Sequence, residues 1–386
     1  MNAWSKTRVA GQEHGFIIIF SMGIIVFLTI LGSAFLMRSV HDGHMSEQSV
    51  AWNRALALAE ASVDETMMKQ HVGDFTNLAT VAMSDGTYWA DVSPTGAPWQ
   101  YLVNGHGMQQ AVQRDLEVIT QLTPTSIFQF ALFGHQRVYL DGDVITDSYD
   151  SRLAPYDPNT AGQNGDIGTN SSTVGGVVVD GDSIINGQIA VGPNVSDPTT
   201  VVTINGTSAV ITGSPPLVSQ SVAMPMPAVV IPAWLTCTDL TVNANQTYVL
   251  SAAAGPYCFN NLVVLGGAEL TTDGPVKVYV TNYFHATGNT TIGVPGNPSY
   301  LTMLLTAASQ ATIDGSMGGT TEFYGGLYAP NADIDIGGNA EVYGSVIAQE
   351  VVTSGTPHIH YDESLGDLMD PIGLYKVKVL SWRELK

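Results

Sequence analysis

Three small groups of acids and histidines have the residue types and spacing to do chemistry. Asp333 and Asp335 alternate in NADIDIGG. On one face of a strand they would stand roughly 7 Å apart, within the separation an inverting glycosidase gives its two carboxylates. The other reading is two solvated acids on an outer face. Asp141, Asp143, Asp147 and Asp150 crowd the stretch YLDGDVITDSYDS. Closely spaced carboxylates in a glycine-containing loop suit Ca²⁺, although this is not the EF-hand spacing. Aspartates that shape turns give the same pattern. His358, His360 and Asp362 alternate in PHIHYDE and offer three ligands to Zn²⁺, without a fourth. A strand with half-buried imidazoles accounts for them too. The chain has no phosphate-cradling glycine loop, no nucleophile elbow and no CxxC.

Charge narrows the partners. The chain has 386 residues, 34 acidic against 13 Lys and Arg, and a formal net charge of −21. A surface this acidic is wrong for nucleic acid, whose phosphates call for Lys and Arg. It is equally wrong for docking on anionic lipid headgroups. Between Arg152 and Lys376 the sole Lys or Arg is Lys277. A polysaccharide lyase, which needs a basic residue and cations to hold uronates, finds little here. The acidic, Lys-poor, Gly-, Thr- and Asn-rich composition is that of many secreted bacterial surface proteins.

The elements that must position these groups change character near Thr125. Beyond it, short Val/Ile/Thr/Tyr runs alternate with Gly, Asn and Asp, as in VVVDGDSIINGQIAVG and VKVYVTNYFHATGNTTIG. Two stretches nearly superpose. Tyr324, Gly325 and Ala329 map onto Tyr343, Gly344 and Ala348, an offset of 19 each time. A period near 20 with Gly and Asn turns predicts a parallel β-helix, whose turns share one core because none can bury its apolar face alone. A β-sandwich is the alternative, but it needs no such repeat. Cys237 and Cys258 lie 21 positions apart, close to one turn. Adjacent rungs sit about 4.8 Å apart, within reach of a disulfide. Two buried thiols are the other possibility.

The first 70 residues set location. A short leader with Lys6 and Arg8 ends at Gly15, and the uncharged run FIIIFSMGIIVFLTILGSAFLM follows from Phe16 to Met37. Its 22 residues span roughly 33 Å as a helix, enough for a hydrocarbon core. The basic leader predicts a cytoplasmic N-terminus and everything after residue 40 outside. A helical pattern continues past the membrane with Trp52, Ala55, Ala59, Val63 and Met67 at steps of three and four. A cleaved secretory signal and a plain anchor are the alternatives, but the pattern runs straight through Ala34, where a secretory signal would be cut. In residues 71–124, TYWADVS, WQYLVNG and QAVQRDLEVITQLT read as three strands with turns at SPTGAP and NGHGM.

The Gly15/Phe16 junction, the LGSAFLMRS exit and the alanine-rich RALALAEAS helix resemble the N-terminal domain of PilX-type pilus-assembly proteins, which are minor pilin-like. The resemblance implies leader removal between Gly15 and Phe16 by a prepilin peptidase. It also implies a pilin fold, a long helix packed on a small antiparallel sheet. Major pilins carry Glu at the fifth mature position, where this chain has Phe20, so a bulk fibre subunit is not implied. From residue 125, VITDSYDSR, GDIGTN, GPVKVYVTNYF, FYGGLYAPNADIDIGG and HYDESL resemble a bacterial surface domain of unknown function. That family supplies architecture and no chemistry.

The expectations are therefore these. The fold is an α+β pilin-like N-terminal part followed by an all-β parallel β-helix. Residues 1–15 are a leader, 16–37 a transmembrane segment, 38–124 a helix with its sheet, 125–370 the β-solenoid and 371–386 a C-terminal strand. That strand joins either the solenoid or the first sheet. The protein is expected to be a non-enzymatic, minor pilin-like subunit of a type IV pilus or related fibre that displays the solenoid as an adhesive module. A membrane-tethered polysaccharide-cleaving enzyme and a static cell-envelope scaffold are the alternatives. The protein is expected to be cofactor-free, with Ca²⁺ as the one metal the aspartates suggest. It is expected in the bacterial inner membrane, with other pilins, assembly machinery and a surface ligand as partners.

Overall fold

The apolar run and the Pro-free stretch behind it form one helix, α1 (Glu13–His71), of 59 residues. The structure is a computed structural model that describes residues 13–84, 86–306, 314–368 and 374–385. The expected leader lies outside the described residues except for its last three positions, which are helical backbone. Two compact units divide the chain, one of Met1–Leu122 with Val377–Lys386 and one of Thr123–Lys376.

In the first unit, α1 has two unlike halves. Every residue from Phe20 to Val50 is exposed, and this half alone among described helices is apolar and long enough to cross a membrane. From Ala51 onward one stripe is buried: Ala51, Ala55, Ala59, Ser62, Val63, Thr66 and Gln70. The helix stops at Gly73, whose φ of 77° suits glycine, and the amide of Asp74 bonds back to the carbonyl of Lys69. The buried stripe packs on an antiparallel sheet of β1 (Leu78–Met83), β2 (Gly86–Pro94), β3 (Gln100–Gln109) and β4 (Val112–Thr125). The C-terminal strand, Leu374–Leu385, lies beside β4 in this same sheet, where Arg114 pairs with Glu384 and Arg383 with Glu117.

Some local expectations fail here. NGHGM is not a turn but the middle of β3, and the turn is Gln110–Ala111, with Gln110 at φ 54°. The sheet also has four strands before the insertion, not three, because Leu78–Met83 pairs with β2 as a further edge strand. Gly105 and Gly107 are in a strand because α1 presses against them. A Cβ on Gly105 would stand 2.5 Å from Val63 Cγ2, and one on Gly107 would overlap the backbone of Ala55 and Ala59. Backbones this close admit only small side chains between them. Trp52, expected on the packed face, is instead 55% exposed with the Arg114 guanidinium 4.0 Å over its ring.

The second unit is a large, mostly β body built from parallel pairings. One ladder joins Leu217–Ser219, Ile189–Val191, Ile167–Thr169, Leu132–Leu140, Glu341–Thr353, Glu322–Ile336, Leu301–Leu305, Val276–Thr287, Tyr257–Val264 and Thr238–Val242, in that spatial order. Two further ladders run through the remaining strands. The order is not the chain order. The chain starts in mid-stack, builds to one end, and resumes at the other end. It then stacks back until Val346 lies beside Leu132.

Alternation along each strand separates a core from an outer face. Val278, Met303, Leu327, Val346, Leu132, Ile167 and Ile189 are register partners and all are buried inward. One position on, Cys258, Tyr279, Leu304, Tyr328, Ile347 and Phe133 form a second apolar line pointing outward. A strap from Met224 to Cys237 covers it with Met224, Met226, Val229, Ile231 and Leu235. Pro225, Pro227 and Pro232 keep this segment out of the sheet, since proline cannot donate to a ladder. Asn170 bonds both the amide and the carbonyl of Met224 at 2.7 Å, and the Tyr328 hydroxyl donates to Pro227 O at 2.6 Å.

Candidate functional site

The residues singled out for chemistry go to different places. Asp333 is half-buried and Asp335 exposed, and neither lines the cavities described below. The four crowded aspartates do not converge. Asp141 is exposed, Asp143 accepts from the amide of Asp182, and Asp150 is held by the Arg152 guanidinium. Asp147 alone is buried, accepting from His360 at 2.8 Å and Tyr156 at 2.8 Å. Among the described residues no three His, Cys, Asp or Glu are placed to hold a metal ion. The Ca²⁺ and Zn²⁺ readings therefore find no assembled site.

Asp362 is fully buried, and its carboxylate accepts from the amides and hydroxyls of Ser151 and Ser364, at 2.7–3.1 Å. Four donors offset the cost of burying that charge. Cys237 and Cys258 are joined as a disulfide with Cα atoms 4.4 Å apart. The bond ties the C-terminal end of the strap to the rung beneath it.

What converges is aromatic. Tyr324, Tyr343, His360 and Asp147 are successive register partners on one outer line of the stack. The rings of Tyr324 and Tyr343 stack at 4.5 Å, and His360 is 4.8 Å from Tyr343. Tyr156 closes over His360 at 3.9 Å, and Tyr149 meets Tyr156 edge-on at 5.5 Å. With Pro155, Pro295 and Gly296, the four tyrosines line a cavity of about 260 Å³.

The electrostatics of this cavity are specific. Tyr156 donates to Asp147, Tyr324 to Glu322 at 3.2 Å, and Tyr343 to Glu341. Burial first, and these carboxylates second, push all three phenols well above the usual tyrosine range. Burial does the same to Tyr149. The rings are therefore neutral at any physiological pH and electron-rich. His360, behind these rings, is buried between two of them and bonded to Asp147.

A second, more open groove of about 690 Å³ is lined by His135, Arg137, Asn170, Ser171, Thr173 and Glu350, among others. Its one cation, Arg137, lies 4.5 Å over the ring of Tyr139.

Sequence reasoning passed over Tyr149, Tyr156, Tyr324 and Tyr343 as site residues. The signal is present in the superposition of Tyr324 on Tyr343, which stacks two tyrosine rings on successive rungs. The strap also left a signal, an apolar stretch MPMPAVVIPAW with prolines at short intervals.

A family model described as a domain of unknown function, DUF7305, matches residues 258–368. No curated protein matches the chain. Among solved structures, an ice binding protein from an Antarctic Biological Consortium aligns at 14% identity, covering 62% of this chain and 91% of its own, with a TM-score of 0.33. The DUF3494 domain of ice-binding protein 1 from Shewanella frigidimarina aligns at 14% identity, over 62% of this chain and 98% of its own, with a TM-score of 0.31. The competence-associated pilin ComZ from Thermus thermophilus aligns at 10% identity, over 87% of this chain and 97% of its own, with a TM-score of 0.28. Superpositions this loose fix neither fold nor function.

Proposed function

We propose that the chain is a non-enzymatic, membrane-inserted, pilin-like subunit that carries a β-solenoid on its helix–sheet unit. The observation that carries this reading is the division of α1. Its exposed apolar half, with Phe20, Ile25, Phe27 and Leu28 among residues about 60% exposed, continues unbroken into the half seated on the sheet. Leaving large apolar side chains in water forgoes roughly 1.5–3 kcal/mol each. A bilayer, or a bundle of like helices in a fibre, provides that burial. The C-terminal strand closes the same sheet, so the β unit is an insertion carried between β4 and the chain's last strand.

Phe20 in place of the usual Glu favours a minor, PilX-like subunit over bulk pilin. Gly15 and Phe16 would be the cleavage junction, other pilins and assembly proteins the partners, and the inner membrane the site of insertion. The parallel ladders, with a covered outer line and a continuous inner one, support a solenoid with its rungs out of chain order. The test is fractionation. Shearing surface fibres from cells should release the chain with them, and Gly15→Asp should keep it in the membrane. A chain absent from sheared fibres in both cases would overturn the fibre reading.

A further inference from the structure

The tyrosine-lined cavity has a chemical bias that its shape alone does not reveal. Its lining holds Tyr149, Pro155, Tyr156, Pro295, Gly296, Tyr324 and Tyr343, with no Lys, Arg, Asn or Gln side chain. The hydroxyls of Tyr156, Tyr324 and Tyr343 already donate to Asp147, Glu322 and Glu341. The cavity thus offers ring faces and acceptor oxygens, and three of its four phenols already donate to carboxylates. A sugar or an anion would bring oxygen lone pairs that need donors, and burying them unpaired is costly. A cation needs none.

Three further features point the same way. A phenol that donates to a carboxylate gains electron density, and an electron-rich ring attracts a cation to its face. The β unit carries 22 of the chain's 34 acidic side chains and 4 of its 13 Lys and Arg, so the surrounding field draws cations in. A volume of about 260 Å³ lies below the usual range of drug-sized pockets and suits a compact headgroup. We propose that this cavity binds an alkylated ammonium group. Such a group reaches it from a free amine, a choline lipid headgroup or a methylated lysine, and the chemistry at the rings is common to all three.

The test uses the full chain in maltoside micelles, which carry no ammonium group, and isothermal titration calorimetry. Choline is titrated against its uncharged isostere 3,3-dimethylbutanol. Choline should bind at least tenfold more tightly. Equal binding of the two, or no binding of any ammonium probe, would overturn the proposal. Tyr343→Ala should weaken choline at least tenfold. Because that residue is a rung of the stack, the isosteric Glu341→Gln and the loop variant Tyr156→Leu are measured beside it, with circular dichroism as the fold control. Each should weaken choline threefold or more while leaving the spectrum unchanged. Unchanged affinity in both would contradict the assignment. Phosphatidylcholine vesicles and a trimethyllysine peptide then identify the source, as whichever binds more tightly than free choline. The pilin reading is independent of this result, since no fibre is involved.

Discussion

The helix–sheet unit and the parallel β unit solve the same burial problem by different means. In the first, a single helix meets a small sheet, and closeness of backbones does the work. Gly105 and Gly107 are flat spots against which Ala55, Ala59 and Ser62 seat. In the second, glycines such as Gly142, Gly181 and Gly344 also let backbones meet, but only rung against rung at single points, and they do not carry the burial. Like side chains on successive rungs line up instead, as Leu327 does with Met303 and Val346. The first depends on a few small residues, and the second on the sum of many ordinary ones. Glycine makes room for a partner in both regions, as Gly326 does for Phe128, but it has a second use in the β unit. At Gly338 and Gly355 its positive φ turns the chain between rungs.

Four perturbations should act differently on the two regions. The largest effect is expected in alkali. Burial raises Tyr149, Tyr324, Tyr328 and Tyr343 above their ordinary value of 10.0, and all four lie in the β unit. A phenol whose folded value is raised contributes stability below its unfolded value, lost as pH rises above it. The β unit should therefore lose stability steeply above about pH 10. Phenolate absorbance at 295 nm should then appear together with loss of the β-sheet circular dichroism signal. Phenols that ionise freely with the sheet intact would contradict their burial.

Next is Leu327→Ala, in the middle of the inner line. Removing a fully buried leucine should cost about 2–5 kcal/mol. Hydrogen exchange should rise on both neighbouring rungs, near Met303 and Val346, and not in α1. Gly107→Ala reverses the locality. An added methyl overlaps the helix backbone, and the expected loss is about 1–3 kcal/mol. Faster exchange should be confined to residues 51–70 and β3. Gly266→Ala, with nothing within 4 Å of the added carbon, is the neutral control. The smallest effect is Tyr328→Phe, which removes the bond to Pro227 and should cost about 1 kcal/mol. It should loosen the strap around residues 224–232 and leave the rungs protected.

The legibility of the two regions differs for the same physical reason. The N-terminal helix is local, so its apolar run, its Pro-free continuation and its end near Gly73 are all written in consecutive residues. What the helix packs against is not local. Trp52 misleads because a large apolar residue looks like core until the partner strand is known to carry glycines. In the β unit the 19-residue offset of Tyr324 and Tyr343 is the observed register. Yet Tyr343 to His360 is 17 positions and Cys258 to Tyr279 is 21, because loops of unequal length sit at the corners. The order of the rungs was not readable at all, since Leu132 finds Val346 across most of the unit. The cavity tyrosines come from three separate stretches, and only stacking brings Tyr149 and Tyr156 to Tyr324 and Tyr343.

On the proposed function, one continuous helix is both the membrane element and the assembly element. The mature N-terminus, determined by intact mass and N-terminal sequencing of the chain from membranes, tests it most directly. The prediction is a chain beginning at Phe16. A chain that still begins at Met1, or one cut after Ala34, would contradict it.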